Sequence, residues 1–554
     1  MINEIHLPFD FEWAPAVSLK AGELQCLYET GRLRYIRRGE TELIRMIYGA
    51  VRDDNWGTLP YSIEDEKLVI ENESFSIQFT AVYGREKPVY KALFTIEGRA
   101  GSGISFSMKG TALAAFQKNR IGICVHLPIQ SCAGQAVMVK RPDGTRYQEV
   151  FPEMVSPHQP LLMIQEMQWT TSDHTTIQLF FDGDVFETED QRNWSDSSYK
   201  TYSTPQHIPF PVGVLPGDTM RQELRLIAFN NVDDPAIQLK NYQEEKIPFP
   251  AIGYCKTAGH PPVTMTEAAL LQKIPFNHYR VLLEMDLENW AHELNDAFAE
   301  AILLHTRLEL VIVFPEVFNS VSPVLLSMLQ EKQDLLHSIL VLQKNKAVSP
   351  HALQAQVYPL LKAMLPAVPV GYGTVYHFVD LNRHRPGIDF FDFTSYSIHP
   401  RVHMTDNRSV WENLDNQPDM VATAGLFSSG KPVFVSPVTL GVPGNGEKQS
   451  TAMVACWTLM SIQQLAMAGS ITLHEIFGEA GLLRSETKSS DGVQQVLTST
   501  LYEMLAAVYQ FQPVFIIKRY KDRDVLTDGL LLENAGGERL FFRMPGEITG
   551  AKNQ

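Results

Sequence analysis

The chain has 554 residues, 44% of them hydrophobic, which is typical of a globular protein with two or three domains. Its formal net charge of −16 argues against nucleic acid and anionic membrane surfaces as partners. No apolar run approaches the roughly 18 residues of a membrane-spanning helix. Residues 1–15 lack a basic stretch followed by an apolar core, and the five cysteines are scattered without a C-x-x-C pair. We therefore expect a cytoplasmic protein with neither a disulfide framework nor a zinc knuckle.

Residues 1–245 contain short runs in which hydrophobic and polar residues alternate. Such runs occupy 75–83, 90–98 and 104–110, and turns rich in Gly, Pro, Asp and Asn separate them, as at 141–144. Alternation with a period of two and frequent turn signals predicts an antiparallel β-sandwich. A segment with two prolines, 246–250, marks the end of this part of the chain.

From residue 251 to 475 the chain alternates between strand-like and helix-like patterns. The eight apolar runs lie at 251–255, 278–285, 308–314, 337–342, 369–375, 390–398, 431–438 and 470–475. Near-continuous apolar runs are typical of strands buried on both faces, and strands that alternate with helices form parallel sheets. Eight such units predict a (β/α)8 TIM barrel, with an open doubly wound sheet as the alternative. Ser-Pro pairs at 322–323 and 349–350 predict helix starts capped by the serine.

The last part of the chain predicts a closing helix at 494–511, followed by three strand-like runs. These runs could finish a small C-terminal β-module, joined by strands from the N-terminal part. We therefore predict a multidomain α/β and β protein. Its domains would be a β-sandwich at 1–245, the barrel at 246–480, and a closing helix with the β-module at 481–554.

The active site of a (β/α)8 barrel lies at the carboxyl ends of its strands. Polar residues at or after the eight runs are Lys256, Glu284, Asp286, Glu316, Gln343, Lys344, Asn345, Tyr376, His377, Tyr396, His399, Ser436, Thr439, His474 and Glu475. Taken one at a time, each of these polar residues is explained by the exposure of a strand end to water. As a set they supply the carboxylates, imidazoles and hydroxyls that a polar substrate needs.

The densest polar stretch outside the predicted barrel is 187–202. A solvated loop is one interpretation. The other rests on Arg192, Asn193 and Trp194, because an aromatic face beside guanidinium and amide donors suits a sugar.

A sandwich joined to a barrel suggests carbohydrate chemistry, so a retaining glycosidase is one hypothesis. It needs two carboxyl groups about 5 Å apart. In the large clan of barrel glycosidases these groups come from the ends of strands four and seven. Here those ends read 343–345 (Gln-Lys-Asn) and 436–438 (Ser-Pro-Val), without a carboxylate. An unusual pair such as Glu284 with Glu475 stays open.

Motifs for other chemistries are missing or weak. The sequence has no G-x-S-x-G, no G-x-x-x-x-G-K-[ST] and no H-E-x-x-H. His399 and His403 are four residues apart, but Pro400 between them favours a loop over a helix that would present both to a metal.

Three segments resemble signatures of the D-apionate lactonase family: 189–202, 379–414 and 433–440. The resemblance implies a bacterial enzyme of apiose catabolism, with a sandwich and a (β/α)8 barrel, that hydrolyses the five-membered lactone of D-apionate. The chain departs from the family pattern at His399, where the family favours Asn, and at His474, where it favours Tyr before the glutamate. A related sugar lactone is therefore an alternative substrate.

Lactone hydrolysis needs a base for water, an oxyanion stabiliser and an acid for the leaving oxygen. The resemblance and its place at a strand end favour Glu475 as the base, with an ion pair to Arg280 or Lys256 as the alternative role. His399 or His403 would be the acid. The predicted substrate-binding residues are Asp190, Arg192, Asn193, Trp194, Lys256, Glu284, Asn382, Arg383, Tyr396 and His474.

This interpretation requires neither a metal nor a cofactor, and it names a small sugar lactone as the partner. Among the binding residues, Arg192 and Asn193 would hold the carbonyl oxygen or the sugar hydroxyls, and Asn382 with Arg383 matches the family signature. Two other hypotheses stay open: a glycosidase with displaced carboxylates, and a non-catalytic carbohydrate-binding protein. The sequence does not indicate an oligomeric state.

Overall fold

The computed structural model describes residues 2–7, 13–230, 242–387, 389–440, 451–478, 481–487, 494–521 and 524–544. The chain forms two compact units. The first, called the sandwich unit below, comprises Trp13–Arg192 and Ser197–Leu239. The second, called the barrel unit, comprises Met1–Glu12, Asn193–Asp196 and Lys240–Gln554.

The sandwich unit contains two nine-stranded antiparallel sheets. The first sheet has, in spatial order, the strands Leu161–Ile164, Phe186–Asp190, Ser198–Ser203, Phe116–Pro128, Thr41–Asp53, Arg32–Arg38, Leu24–Glu29 and Val17–Ala21, with Val212–Val214 beside Phe116–Pro128. The second has Arg146–Val150, Ala136–Lys140, Glu166–Thr170, Thr175–Asp182, Thr219–Asn230, Gly103–Ala112, Tyr90–Arg99, Ser74–Tyr83 and Tyr61–Ile70. A short helix, Ile129–Cys132, follows the strand Phe116–Pro128 of the first sheet.

One hydrophobic core lies between these two sheets, as the alternating runs predict. In the strand Ser74–Tyr83, every second residue from Phe75 to Tyr83 is buried, while the residues that alternate with them are more exposed. The same core contains residues of both sheets. Because successive side chains of a strand point to opposite faces, alternation in the sequence becomes one apolar face per sheet.

The eight parallel strands of the barrel unit close on themselves, which confirms the predicted barrel. Barrel strands 1 to 8 are Ile252–Cys255, His278–Glu284, Arg307–Phe314, Leu336–Gln343, Val370–His377, Phe393–Ile398, Val433–Val438 and Ser470–Leu473. Strand 8 pairs with strand 1 through Thr472 and Gly253, and this pairing completes the ring.

The helices of the barrel unit are Met265–Leu271, Trp290–Leu303, Pro323–Glu331, His351–Met364, Phe378–Arg383, Asn407–Glu412, Gln417–Phe427, Thr451–Gln464 and Thr500–Phe511. Short 3-10 turns occupy Gln191–Trp194, Gln333–Leu335 and Asn413–Asn416. No helix in the described ranges is both long enough and apolar enough to cross a bilayer.

One of the two predicted serine caps is present. Ser322 precedes the helix Pro323–Glu331, and its hydroxyl accepts from the amide of Leu325, with proline at the first helical position. The cap predicted at Ser349 is wrong. The next helix begins at His351, and the Ser349 hydroxyl instead donates to the carbonyl of Val341 at 2.6 Å, on strand 4.

A further sheet of six strands belongs to the barrel unit. It contains Ile2–His6, Arg539–Arg543, Gly529–Asn534, Pro513–Lys521, Tyr242–Pro248 and Asp524–Val525. Strands from the beginning of the chain therefore join the C-terminal ones. The helix predicted at 494–511 begins later, at Thr500, because Gln494–Thr498 is a strand that pairs with Leu483–Thr487.

Aromatic rings fill the amino end of the barrel interior. His278 stacks on His337 with ring centroids 4.4 Å apart, and Phe393 stacks on Phe434 at 4.1 Å. Gly371 leaves room for this layer, because a Cβ there would lie 2.3 Å from the Phe393 ring. The interior is therefore packed at this end, and polar chemistry must lie towards the other end.

Candidate active site

Backbone hydrogen bonds place the ends of several barrel strands at one level. The amide of Lys256 donates to the carbonyl of Arg280 at 2.9 Å, that of Thr439 to Ile398 at 3.0 Å, and that of His474 to Val438 at 2.9 Å. The residues that follow these strands therefore meet at the carboxyl end of the barrel. This is the end at which barrel enzymes carry their active sites.

An imidazole–carboxylate pair lies at this end of the barrel. His403 Nδ1 is 2.5 Å from Asp196 Oδ2, and Asn413 donates to the other oxygen of Asp196 at 3.1 Å. Asp196 is buried and His403 nearly so. A carboxylate bound to one ring nitrogen fixes the orientation of the imidazole and stabilises the imidazolium during proton transfer.

Two more histidines and a tryptophan surround this pair. The Trp194 ring lies 5.5 Å from His377 and 5.9 Å from His403, and His377 lies 6.2 Å from His399. Burial lowers the pKa of His377, and His399 lowers it further while Asp196 raises it. Burial also lowers the pKa of His399. Both rings are therefore neutral at pH 7 and can accept or donate a hydrogen bond to a sugar.

A second polar group is formed by residues that follow strand 8 and by residues on strands 1 and 2. His474 Nε2 lies 3.5 Å from Glu475 Oε2, and both side chains are partly exposed. Burial lowers the pKa of His474, with Glu475 raising it and the positive charge of Arg280 lowering it. Arg280 Nη1 lies 3.8 Å from the Cys255 sulfur. Burial raises the pKa of Cys255 to about 11, so this thiol is not a nucleophile at neutral pH.

A buried carboxylate, Glu309, lies on strand 3 beneath this second group. Its oxygens are 3.4 Å from Arg280 Nε and 3.1 Å from His278 Nε2. It also accepts from the hydroxyls of Ser436 at 2.5 Å and Thr472 at 2.6 Å. Burial alone would raise the pKa of Glu309, but His278 and Arg280 outweigh it and hold the pKa at about 2.

Two of the predicted binding residues are buried inside the sandwich unit. Arg192 and Asp190 have no exposed side-chain surface and form an ion pair at 2.8 Å inside the sandwich unit. Arg192 also donates to the carbonyls of Pro152 and Glu153, each at 2.8 Å. A guanidinium has five N–H donors, and a buried one needs acceptors from the protein. Here backbone carbonyls are among those acceptors. The contacts of Arg192 and Asp190 are those of a structural ion pair, and their role in binding a substrate stays a prediction.

Lys256 and Tyr396 also point away from the barrel mouth. Lys256 Nζ lies 2.7 Å from Glu300, on the surrounding helix Trp290–Leu303. Tyr396 has no exposed surface, and its ring lies 4.8 Å from Phe378 in the preceding helix, Phe378–Arg383. Because side chains alternate along a strand, Tyr396 faces the helices and its neighbours face the interior. Both side chains contact surrounding helices, and their role in binding a substrate stays a prediction.

The remaining predicted residues are distributed between buried and exposed positions. Asn193 and Asn382 are both buried, and Asn382 donates to the Asn193 side chain at 2.9 Å. Arg383 is exposed at the end of its helix, and Glu284 is partly exposed at the end of strand 2. Their role in binding a substrate stays a prediction.

Three residues of the site were not assigned from the sequence: Asp196, Arg280 as a site residue, and Glu309. Asp196 lies within the signature segment 189–202, but its partner His403 is distant in the sequence. Arg280 and Glu309 could have been identified as charged residues inside apolar strand runs. A buried charge requires a partner, so such residues indicate a contact between strands. No three His, Cys, Asp or Glu side chains converge as a metal-ligand set within the ranges described above.

Comparison with solved structures gives distant likenesses. The chain resembles an α-L-arabinofuranosidase from Thermotoga maritima, in a complex with arabinose, at 11% identity and a TM-score of 0.38, over 54% of this chain and 83% of that one. It resembles a family 39 glycoside hydrolase from Bacteroides cellulosilyticus WH2 at 12% identity and a TM-score of 0.33, over 74% and 86%. At these TM-scores the likenesses carry no argument about function.

Sequence comparison is more specific. The chain is 26% identical over 472 residues to the D-apionate lactonase of Brucella anthropi, which covers 78% of this chain and 74% of that protein. Residues 10–230 match the N-terminal domain of D-apionate lactonase, and residues 252–512 match its TIM barrel domain. The chain therefore belongs to the D-apionate lactonase family.

Proposed function

We propose that the chain is a lactonase that hydrolyses D-apionolactone or a closely related sugar-acid lactone to the open acid. The observation that carries the proposal is the match of both the N-terminal region and the barrel to D-apionate lactonase domains. The geometry at the carboxyl end of the barrel supports it, because a carboxylate, a guanidinium and an imidazole–carboxylate pair are available there.

Glu475 is the proposed base that activates water. It follows strand 8, its carboxylate is partly exposed, and His474 lies 3.5 Å away. A carboxylate at this position can take a proton from a water molecule that attacks the lactone carbonyl. Positioned general bases contribute about 10²- to 10⁴-fold to rate.

His403 is the proposed acid for the leaving ring oxygen. The sequence left His399 and His403 as alternatives. His403 has a carboxylate partner, Asp196, which stabilises its protonated form during the reaction. Burial lowers the pKa of His399, so this ring carries a proton less readily at neutral pH. We therefore assign proton donation to His403 and a hydrogen-bonding role to His399.

Arg280 replaces Arg192 as the proposed ligand of the carbonyl oxygen. Arg192 is enclosed in the sandwich unit, whereas Arg280 lies on strand 2 beside Cys255 and affects the pKa of His474. A fixed positive charge stabilises the oxyanion that forms when water adds to the carbonyl. Trp194 with His377 would present an aromatic surface to the sugar.

A glycosidase is the second candidate function. Strand 4 ends at Gln343 and strand 7 at Val438, so the usual positions carry no carboxylate, and this favours the lactonase. The pair Glu284 and Glu475 remains the alternative to test.

The test follows acid release in a pH-stat with a panel of aldonolactones that includes D-apionolactone. It compares wild type, wild type treated with EDTA, Glu475→Gln, and Glu331→Gln as an exposed carboxylate control at the end of the helix Pro323–Glu331. We expect acid release that EDTA and Glu331→Gln leave unchanged and that Glu475→Gln lowers by about 10²-fold or more.

Other outcomes would redirect the assignment. Turnover of aryl glycosides without lactone hydrolysis would replace the lactonase by the glycosidase. Binding of sugars without turnover of any substrate would favour a carbohydrate-binding protein.

A further inference from the structure

Glu309 is an unusual residue for the middle of a barrel strand. It is 2% exposed and is flanked along strand 3 by Leu308 and Leu310, which are fully buried. Moving an ion from water into a protein interior costs several kcal/mol, and an apolar residue of similar size often gives equal or greater stability. Stability of the barrel alone therefore does not explain a carboxylate here.

The partners of Glu309 hold both of its oxygens. Ser436 on strand 7 donates to Oε1, and Thr472 on strand 8 donates to Oε2. Thr472 is in turn 2.8 Å from His278 Nε2, which lies 3.1 Å from Glu309. With donors from three other strands, the carboxylate has one orientation, and that orientation presents Oε1 to Arg280.

Arg280 connects this buried carboxylate to the carboxyl end of the barrel. Its Nε is 3.4 Å from Glu309, and its Nη1 is 3.8 Å from Cys255, the last residue of strand 1. The Nε contact is an ion pair without hydrogen-bond geometry, and the buried Nη2 has no hydrogen-bond partner within the described part of the chain. Leu282, the next residue of strand 2 on the same face, is 41% exposed, so the barrel is open beyond the guanidinium.

We propose that Glu309 is a positioning residue that holds the Arg280 guanidinium in place for the carbonyl oxygen of the substrate and for the carboxylate of the acid product. This inference rests on the proposed lactonase function. Glu309 touches no substrate. It fixes one side of Arg280 so that the unpaired Nη2 stays available for an oxyanion, and preorganised donors of this kind act without reorganisation in the transition state.

The first experiment measures kcat and KM for Glu309→Gln, Arg280→Ala and the double variant. Arg280→Ala is expected to lower kcat by about 10²-fold, as loss of one oxyanion donor does. Glu309→Gln should lower kcat by about tenfold or more, with a smaller change in KM. In the Arg280→Ala background, Glu309→Gln should change kcat less than about twofold, because residues that act through one another are not additive. Additive effects would overturn the proposal.

Ser338→Ala is the matched control. Ser338 pairs with Glu309 in the barrel ladder and is equally buried, but its hydroxyl has no hydrogen-bond partner in the described residues. It should leave kcat unchanged. Thr472→Val removes one donor to Glu309 without removing the charge, so it provides a milder variant in case Glu309→Gln does not fold. Its kcat should fall between those of wild type and Arg280→Ala, and a wild-type kcat would count against the proposal.

Guanidinium rescue separates positioning from a structural role. Added guanidinium chloride should restore part of the activity of Arg280→Ala while Glu309 is present to bind it, and should not restore the double variant. Equal rescue of both would overturn the role of Glu309.

Binding of the product anion separates this inference from the proposed function. Sodium D-apionate should raise the Tm of wild type and of Ser338→Ala, and should have no effect on Arg280→Ala or Glu309→Gln. A wild type that binds D-apionate in this way but hydrolyses no lactone would remove the lactonase function and keep the positioning role. If D-apionate raised the Tm of Glu309→Gln as much as that of wild type, the positioning role of Glu309 would be overturned and the lactonase function would stand.

Discussion

The contact between His403 and Asp196 determines which proton the proposed acid carries. Asp196 accepts from Nδ1, so the opposite ring nitrogen, Nε2, is the one that can reach a substrate. Asn413 holds the second carboxylate oxygen and prevents the carboxylate from rotating.

We therefore expect Asp196→Asn to lower kcat by about 10²-fold or more, with little change in KM. The amide keeps the shape of the carboxylate but neither stabilises the imidazolium nor selects the productive tautomer. Steady-state kinetics on the best lactone of the panel would measure this. Asp389→Asn, at a carboxylate that is 93% exposed, is the control and should match wild type. An Asp196→Asn variant with wild-type kcat would exclude His403 as the acid.

At the same scale, the sequence locates some of the residues at the carboxyl end of the barrel but not the contacts between them. His403 and Glu475 follow strand ends, and a strand end can be read from where an apolar run stops. The face on which Tyr396 lies is harder to read, because a shift of one residue along a strand moves a side chain from one face to the other. Glu309 and Arg280 could not be joined from the sequence, since their contact depends on the register between two strands.

Among the elements, the helix Pro323–Glu331 offers a direct test of a local signal. The Ser322 hydroxyl accepts from the Leu325 amide, one of the donors that a helix start leaves unsatisfied. Ser322→Ala should lower the free energy of unfolding by about 1 kcal/mol, measured by urea denaturation, without a change in kcat. Ser327→Ala, at an exposed position of the same helix, is the control and should be neutral or slightly stabilising, because alanine has the higher helix propensity. Equal effects of the two variants would contradict the cap.

The strands of the barrel were predictable because each is buried on both faces and reads as an apolar run. Strand 3, for example, was predicted at 308–314 and spans Arg307–Phe314. The strand Gln494–Thr498 was not predictable: its residues fit a helix, and pairing with Leu483–Thr487 overrides that local preference.

The ring layer at the amino end of the barrel makes stability depend on pH. Burial lowers the pKa of His337 to about 3; the neighbouring His278 lowers it further, whereas the negative charge of Glu309 raises it. The unfolded chain takes up a proton near pH 6.5, whereas the folded chain resists it down to about pH 3. Stability is therefore complete above pH 6.5 and falls as the pH drops through this window, by about 1.4 kcal/mol per unit.

His337→Phe should remove this dependence and keep the stacking on His278. Between pH 7 and pH 5, the variant should lose about 2 kcal/mol less free energy of unfolding than wild type. Urea denaturation at both pH values would measure the difference. His292→Gln, at a histidine that is 77% exposed, serves as the control. A variant with the pH dependence of wild type would show that His337 titrates normally.

For the molecule as a whole, the division into units does not follow the order of the sequence. Asn193–Asp196 belong to the barrel unit although the residues on either side belong to the sandwich unit. The predicted domain boundaries, 1–245, 246–480 and 481–554, stay a prediction, and a cut at 245 would fall within the strand Tyr242–Pro248.

We expect a fragment of residues 246–554 to have no more activity than full-length Asp196→Asn, even where circular dichroism shows it folded. The fragment lacks Asp196, so its His403 has lost the carboxylate that orients it. Addition of a separate fragment of residues 1–245 should restore activity in part. A fragment 246–554 with the kcat of the full chain would show that the pair is dispensable.

The position of Asp196 also bears on how such a protein can change over generations. The proposed acid, His403, and its partner Asp196 lie in stretches that match two different domains of the family, residues 252–512 and 10–230. Recombination that replaced only one of these stretches would separate His403 from Asp196, unless the incoming stretch carried the matching residue. Asp196 and His403 should therefore be inherited together, and substitutions at one should be tolerated only with compensation at the other.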